Sequence, residues 1–150
     1  MKKIVTLLMV IIFSFGGAFA KESASKSVIY TDKAPKPIGT YSQAIKIDNT
    51  VYISGQIPMD PKTGELVSGE FKTQAKQAMM NLSEIAKAAG GTLDDIVKVT
   101  VYLSDLSNFS IFNQVMAEYF QKPYPARVVV EVKALPKQAA VEIEAVMRVR

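Results

Sequence analysis

Pro125-Ala126-Arg127-Val128-Val129-Val130-Glu131-Val132 reads as a β-strand, because four of its eight residues are valine, stiff at χ1. Period two puts Val128, Val130 and Val132 on one face and Arg127, Val129 and Glu131 on the other. Arg127 is then a permanent cation at the mouth of an apolar strand, with Pro125 fixing the chain just before it. A guanidinium on a rigid strand makes a good two-pronged clamp for a carboxylate. It serves equally well in a structural ion pair with one of the chain's own acids, and this stretch alone leaves both open.

Outward from that strand the pattern alternates between the two regular periods. Phe109, Phe112, Met116 and Phe120 recur at helical spacing, so a helix runs from a cap at Asp105 or Ser107 to about Phe120. Asn113 lies at the edge of that stripe, where a polar side chain needs a partner. Ile96–Leu103 is a strand, with Val97, Val99 and Val101 on one face and Lys98, Thr100 and Tyr102 on the other. Thr92-Leu93-Asp94-Asp95 before it resembles a capping box.

Glu70–Ala89 is the longer helix, its stripe made by Phe71, Ala75, Ala78, Leu82, Ile85 and Ala89 and its end marked by Gly90-Gly91. Earlier still, Asp48-Asn49 turns Ile45–Ile47 back onto Val51–Ser54 as a hairpin, and Val28–Thr31 opens the first strand. Downstream, Val141–Arg150 puts Val141, Ile143, Ala145, Met147 and Val149 on one face and Glu142 and Glu144 on the other. The order β-β-β-α-β-α-β-β predicts an α+β fold with two helices packed on one face of a sheet. The second face, carrying Val129 and Tyr102 among polar residues, is expected to be covered by another subunit.

The chain has neither cysteine nor histidine among its 150 residues. That excludes a thiol nucleophile, a Ser-His triad, a disulfide framework and the usual nitrogen or sulfur zinc site. Any hydrolysis must run on carboxylates, hydroxyls, backbone groups and water.

Met1-Lys2-Lys3, the apolar run Ile4–Phe15 and Ala18-Phe19-Ala20 have the pattern of a secretory signal peptide cleaved after Ala20. The expected organisation is a signal peptide over 1–20 and a single domain over 21–150. The mature protein is expected to be exported, periplasmic or secreted, with no stable membrane anchor after cleavage. Removing Lys2 and Lys3 leaves 16 basic and 14 acidic residues, a net charge of +2. No basic run carries interleaved aromatics, so the footprint of a nucleic-acid binder is missing.

Several segments, in order, resemble the RidA family, also called YjgF/YER057c/UK114, the reactive enamine/imine deaminases. They begin with Ile38-Gly39-Thr40-Tyr41-Ser42-Gln43-Ala44, Ile53-Ser54-Gly55-Gln56-Ile57-Pro58 and Asp60-Pro61-Lys62-Thr63-Gly64-Glu65. They continue through Ile96–Leu103, Asp105-Leu106, Phe109, Asn113, Tyr124-Pro125-Ala126-Arg127, Leu135-Pro136-Lys137 and Val141–Ala145. No one piece is decisive; their joint order is specific.

The resemblance implies a chorismate-mutase-like fold, a homotrimer with clefts between subunits, and no metal or organic cofactor. It implies hydrolysis of a 2-imino acid, or its enamine tautomer, to a 2-keto acid and ammonia, as by a 2-iminobutanoate/2-iminopropanoate deaminase. Arg127 matches the carboxylate clamp, the Val129 carbonyl the group that holds the imine nitrogen, and Glu142 the carboxylate that activates water. Tyr41, Ser54 and Asn113 match residues that line or support the cleft, and Gly55 lets the backbone approach the ligand.

Such chemistry suits a chain without histidine or cysteine, since an iminium carbon is already electrophilic and needs only an anchor, an acceptor and a placed water. The family commonly has proline where Thr40 stands and often cysteine where Val129 stands; the second departure keeps the carbonyl but removes any thiol redox switch. The alternative is a non-catalytic trimer of the same fold that binds small carboxylates or acts as a chaperone. A ribonuclease activity has also been attached to the family, and a chain without histidine or a basic groove gives it little support.

Overall fold

A computed structural model describes residues 25–150. The expected signal peptide over 1–20 lies outside the described residues. Strands β1 (Lys26–Ile29), β2 (Ala44–Ile47) and β3 (Thr50–Gln56) are followed by α1 (Phe71–Ala88), β4 (Ile96–Leu103), α2 (Phe109–Tyr119), β5 (Ala126–Glu131) and β6 (Val141–Arg148). They form one six-stranded sheet in the order β1-β2-β3-β6-β4-β5, antiparallel throughout except for the parallel pair β4–β5. Both helices contribute buried side chains to the core on one side of the sheet, so the expected sheet with two helices packed on one face is what forms.

The core is made where periodicity is cleanest. Val141, Ile143, Ala145, Met147 and Val149 are all buried, as their alternation requires, and meet Ala75, Ala78, Leu82 and Ile85 of α1. Truncating a fully buried residue such as Leu82 to alanine removes about 2–5 kcal/mol of stability. Gly90, at φ 90°, ends the α1 segment in the left-handed region. Thr92 and Asp95 form the expected capping box ahead of β4.

Three face assignments are corrected. Val97 is 52% exposed, because a bulge between Ile96 and Lys98 interrupts the alternation and turns it away from Val99 and Val101. Val129 faces the helices: it pairs with buried Val101 and packs against the core. Val128 and Val130, paired with Thr100 and Tyr102, are instead the residues on the open face. Phe109 is 40% exposed and stands outside the core stripe of α2, while Val115, which is buried, joins Phe112 and Met116 in it. Asp105 caps a short lead-in turn, Leu106–Asn108, rather than α2 itself.

The open face therefore carries exposed Val28, Tyr52, Val128 and Val130 beside Tyr102, Glu142 and Glu144. No helix among the described residues is long and apolar enough to cross a membrane.

Candidate active site

The predicted site residues fall into two groups, and the sheet keeps them apart. The first is built on β5, which is an edge strand. Arg127 pairs with buried Val99, so its side chain leaves the sheet on the helix side. There Nη1 lies 3.2 Å from the Met116 Sδ, and the guanidinium stands 5.5 Å from the centroid of the Phe109 ring. Asn113, Met116, Ala117, Tyr124, Pro125 and Arg127 line a cavity of about 460 Å³. The guanidinium thus stands over the Phe109 ring and directs one Nη1 donor at the Met116 sulfur, a weak acceptor, which leaves its other N–H donors for an anion.

The β5 backbone adds an acceptor. The Val132 N–H donates to the Leu103 carbonyl at 2.9 Å, and Leu103 is in register with Glu131. In a parallel ladder that pattern turns the backbone groups of Val128, Val130 and Val132 towards β4. Those of Arg127, Val129 and Glu131 then point off the free edge. The Val129 carbonyl is accordingly an edge acceptor two residues from the guanidinium.

The second group surrounds Glu142 on β6, a central strand. Ile38, Tyr41, Ser54, Gly55, Ile57, Pro136 and Glu142 line a cavity of about 220 Å³. A bulge in β3 between Ile53 and Gln56 places Ser54 and Gly55 alongside the carboxylate. A Cβ on Gly55 would lie 1.8 Å from Glu142 Oε1 and 2.9 Å from its Cγ. Gly55 therefore makes room for the carboxylate itself, a more direct role than the close approach to a ligand expected of it. Burial pushes the Glu142 carboxyl above the usual carboxylate range, and the Glu144 charge two residues along the strand adds to this. A carboxylate with a raised pKa is the better proton acceptor.

Ser54 Oγ donates to the Ser42 carbonyl at 2.7 Å, tying the bulge to the preceding loop. Tyr41 Oη accepts from the Ile38 N–H at 3.2 Å, which folds the loop around its own aromatic ring. A residue not singled out from sequence, Gln43, holds this loop in place. Its buried amide accepts from the Thr31 N–H at 2.7 Å and donates to the carbonyls of Thr31, Ala34 and Pro35 at 2.9, 3.2 and 2.9 Å. The proline-rich composition of that loop was its one sequence signal, since a run of backbone without regular pairing needs side-chain partners.

Glu142 is in register with Tyr102, on the open face; Arg127 leaves by the helix face. The structural alternative of an Arg127–Glu142 pair within one chain is thereby excluded. The ion pairs found among the described residues are Lys72–Glu118, Lys76–Glu118, Lys87–Glu84 and Lys137–Glu65, and Arg127 is in none of them. Nor is there, among the described residues, a cluster of three or more acidic groups arranged to hold a metal ion.

The Endoribonuclease L-PSP family model matches residues 31–149. This chain belongs to that family, RidA (YjgF/YER057c/UK114). The human 2-iminobutanoate/2-iminopropanoate deaminase is 51% identical over 124 residues, covering 83% of this chain and 90% of the human protein. The crystal structure of RidA from an Antarctic Psychrobacter is 53% identical with a TM-score of 0.80, covering 82% of this chain and 99% of that one. The structure of Escherichia coli TdcF with bound serine is 38% identical with a TM-score of 0.79, covering 83% and 99% of the two chains. The family model thus spans β2 to β6.

Proposed function

We propose that this RidA-family chain hydrolyses reactive 2-imino acids and their enamine tautomers to 2-keto acids and ammonia. It does so as a homotrimer of chorismate-mutase-like subunits. Each cleft joins the Arg127 half-site of one subunit to the Glu142 half-site of its neighbour. The observation that carries the reading is the division of the site. A carboxylate clamp with an edge carbonyl stands on one face of the sheet, and a basic carboxylate stands on the other. The open face, with exposed Tyr52, Val128 and Val130, supports subunit packing against it. Human and other relatives named as 2-iminobutanoate/2-iminopropanoate deaminases support the reaction, and the serine bound to TdcF supports a pocket for a small amino-acid-like carboxylate.

The chemistry follows from the groups present. Arg127 takes the substrate carboxylate in a two-pronged pair, and the Val129 carbonyl accepts an iminium N–H. Glu142 takes a proton from water as the oxygen attacks the iminium carbon, giving a carbinolamine. The same carboxyl passes that proton to the nitrogen. The C–N bond then breaks as Glu142 takes the hydroxyl proton and the C–O bond becomes a carbonyl; the nitrogen leaves as ammonia, and Glu142 returns its proton to solvent, where ammonia becomes ammonium. Stabilisation of the charge comes from groups already in place, which is where most of the rate gain of such sites resides.

The direct test is release of keto acid and ammonia from freshly generated 2-iminopropanoate and 2-iminobutanoate, with and without the protein. A division of the site between subunits is tested by mixing. Arg127→Ala and Glu142→Gln proteins, each strongly impaired alone, are unfolded and refolded together. Random trimers then carry an intact cleft at about one quarter of their sites, and activity returns in that proportion. Two impaired variants that stay impaired in mixed trimers would place both residues in one subunit's site. Export is proposed from the first twenty residues, and N-terminal sequencing of the mature protein is expected to begin at Lys21. Recovery of the full-length chain in the cytoplasm alone would refute it.

A further inference from the structure

Pro136 forms one side of the Glu142 cavity, and the two residues after it are in an unusual backbone state. Lys137 has φ 56° and ψ 17°, and Gln138 has φ 61°. Neither is glycine, asparagine or aspartate. The Cβ of an L-residue crowds the following carbonyl in this region, so two in succession are strained. Such a turn persists only where its surroundings over-determine it.

Its surroundings can be named. Leu135 and Ala139, on either side of the turn, pack with Ile57, Met59 and Leu66 in a small cluster separate from the main core. The Ala140 N–H donates to Gln74 Oε1 of α1 at 3.2 Å. Within the turn the Gln138 and Ala139 N–H groups donate to the Leu135 and Pro136 carbonyls, both at 3.1 Å. A side-chain tie to a distant segment is made by the strained residue itself. Lys137 Nζ donates to the Gly64 carbonyl at 2.9 Å and stands 4.0 Å from Glu65 Oε2. Gly64, at φ 74°, closes the Asp60–Glu65 turn, in which the Asp60 N–H donates to the Glu65 carbonyl at 2.8 Å. The ammonium therefore ties a strained turn beside the site to a well-formed turn 73 residues away in sequence.

We propose that Lys137 is a positioning residue of the deaminase site. Its clasp on the Gly64 carbonyl holds the Pro136–Gln138 turn in its strained form. That fixes the Pro136 wall beside which the Glu142 carboxylate and the attacking water are placed. The proposal rests on the reading of Glu142 as the group that activates water. Lys137 does not touch substrate, so its effect runs through placement, and placement errors well below the size of an atom group weigh heavily on rate. The carboxylate anchor lies in the other half-site, on β5, so binding should be little affected.

The test compares the parent with Lys137→Met and Lys137→Arg, assayed on 2-iminopropanoate with melting temperature and trimer mass measured alongside. Lys137→Met keeps the aliphatic stem and loses the donor. Its kcat should fall about ten- to a hundred-fold with KM unchanged and with melting temperature close to the parent's. Lys137→Arg, which restores a donor within reach of the carbonyl, should recover most of the loss. An active parent with Lys137→Met at the same kcat overturns the inference alone. So does a loss of kcat that only follows a loss of melting temperature, or one that Arg does not recover. A parent that releases no keto acid overturns the deaminase reading and the inference with it.

Discussion

The two halves of the proposed site are built in opposite ways. Arg127 sits on an edge strand, over a wide cavity, and its nearest side-chain neighbours are a thioether and an aromatic ring. Glu142 sits on a central strand between β3 and β4, against a bulge whose glycine it fills, in a cavity less than half as large. The difference follows from the chemistry of the two groups. A guanidinium is charged at every working pH and needs only orientation, so an edge with free donors suffices. A carboxylate that must take and return a proton needs its pKa adjusted by burial and neighbours, and a central strand supplies both.

The largest effect is expected at the tuned half. Glu142→Gln keeps the shape and some hydrogen bonding but cannot accept the proton, so kcat should fall by about 10²–10⁴. Binding of a 2-keto acid product, read by calorimetry, should be largely retained because Arg127 is intact. Unchanged turnover would reduce Glu142 to a structural residue and erase the contrast between the halves.

At the untuned half, Arg127→Ala removes a charged anchor and should cost about 2–4 kcal/mol, on the order of thirty- to a thousand-fold in kcat/KM. Arg127→Lys should not rescue it, since a point charge cannot reproduce the fork. A folded, trimeric Arg127→Ala protein that deaminates 2-iminopropanoate at the parent rate would end the clamp account. Gly55→Ala sharpens the comparison from the other side. The three atoms nearest to the new methyl group all belong to the Glu142 side chain. The fold should therefore keep its melting temperature while kcat drops by about ten- to a hundred-fold, from displacement of the carboxylate alone. Loss of stability instead would mean that the bulge, not Glu142, is what the glycine serves.

Much of this arrangement was legible in the residues. The helix stripe of Ala75, Ala78, Leu82 and Ile85 and the alternation of Val141 to Val149 named their own buried faces, because each pattern is one-sided. Arg127 stood out as a fixed cation on its strand, but its role as a clamp and that of Glu142 as the group that activates water came from the family resemblance, since the residues alone left a structural ion pair open. On β5 alternation could not say which face meets the helices, since both faces carry valine and an edge strand buries little of either. The bulges at Val97 and at Ser54-Gly55 were invisible for the same reason: an extra residue shifts the pairing, and pairing is not written in local composition. Gln43 and the left-handed Lys137 and Gln138 depend on contacts with distant segments, which a reading along the chain does not reach.

The smallest expected effect concerns how the Glu142 half is tuned. Glu144 shares its face of β6, and its Oε1 accepts from Tyr102 Oη at 3.3 Å, while Tyr102 itself lies in register with Glu142. Burial, then the charges of Glu144 and Glu142, raise the Tyr102 pKa, so the phenol stays neutral in the working range and offers a dipole only. From β3 the carboxylate meets uncharged Ser54 and Gly55, and from the flanking loops Tyr41 and Pro136. Among the described residues, Glu144 is thus the one charge that holds the Glu142 proton more tightly, second to burial. The sign of the outcome follows. In the proposed reaction Glu142 works as an anion, so the rate should fall as pH drops through its pKa. Glu144→Gln removes a like charge, lowers that pKa, and should move the acid limb of the kcat profile to lower pH. Because burial remains, the limb should still stand above that of an ordinary exposed carboxylate. A profile that does not move, or moves to higher pH, would assign the tuning to burial alone and leave the Glu144–Tyr102 pair a purely structural feature of the sheet.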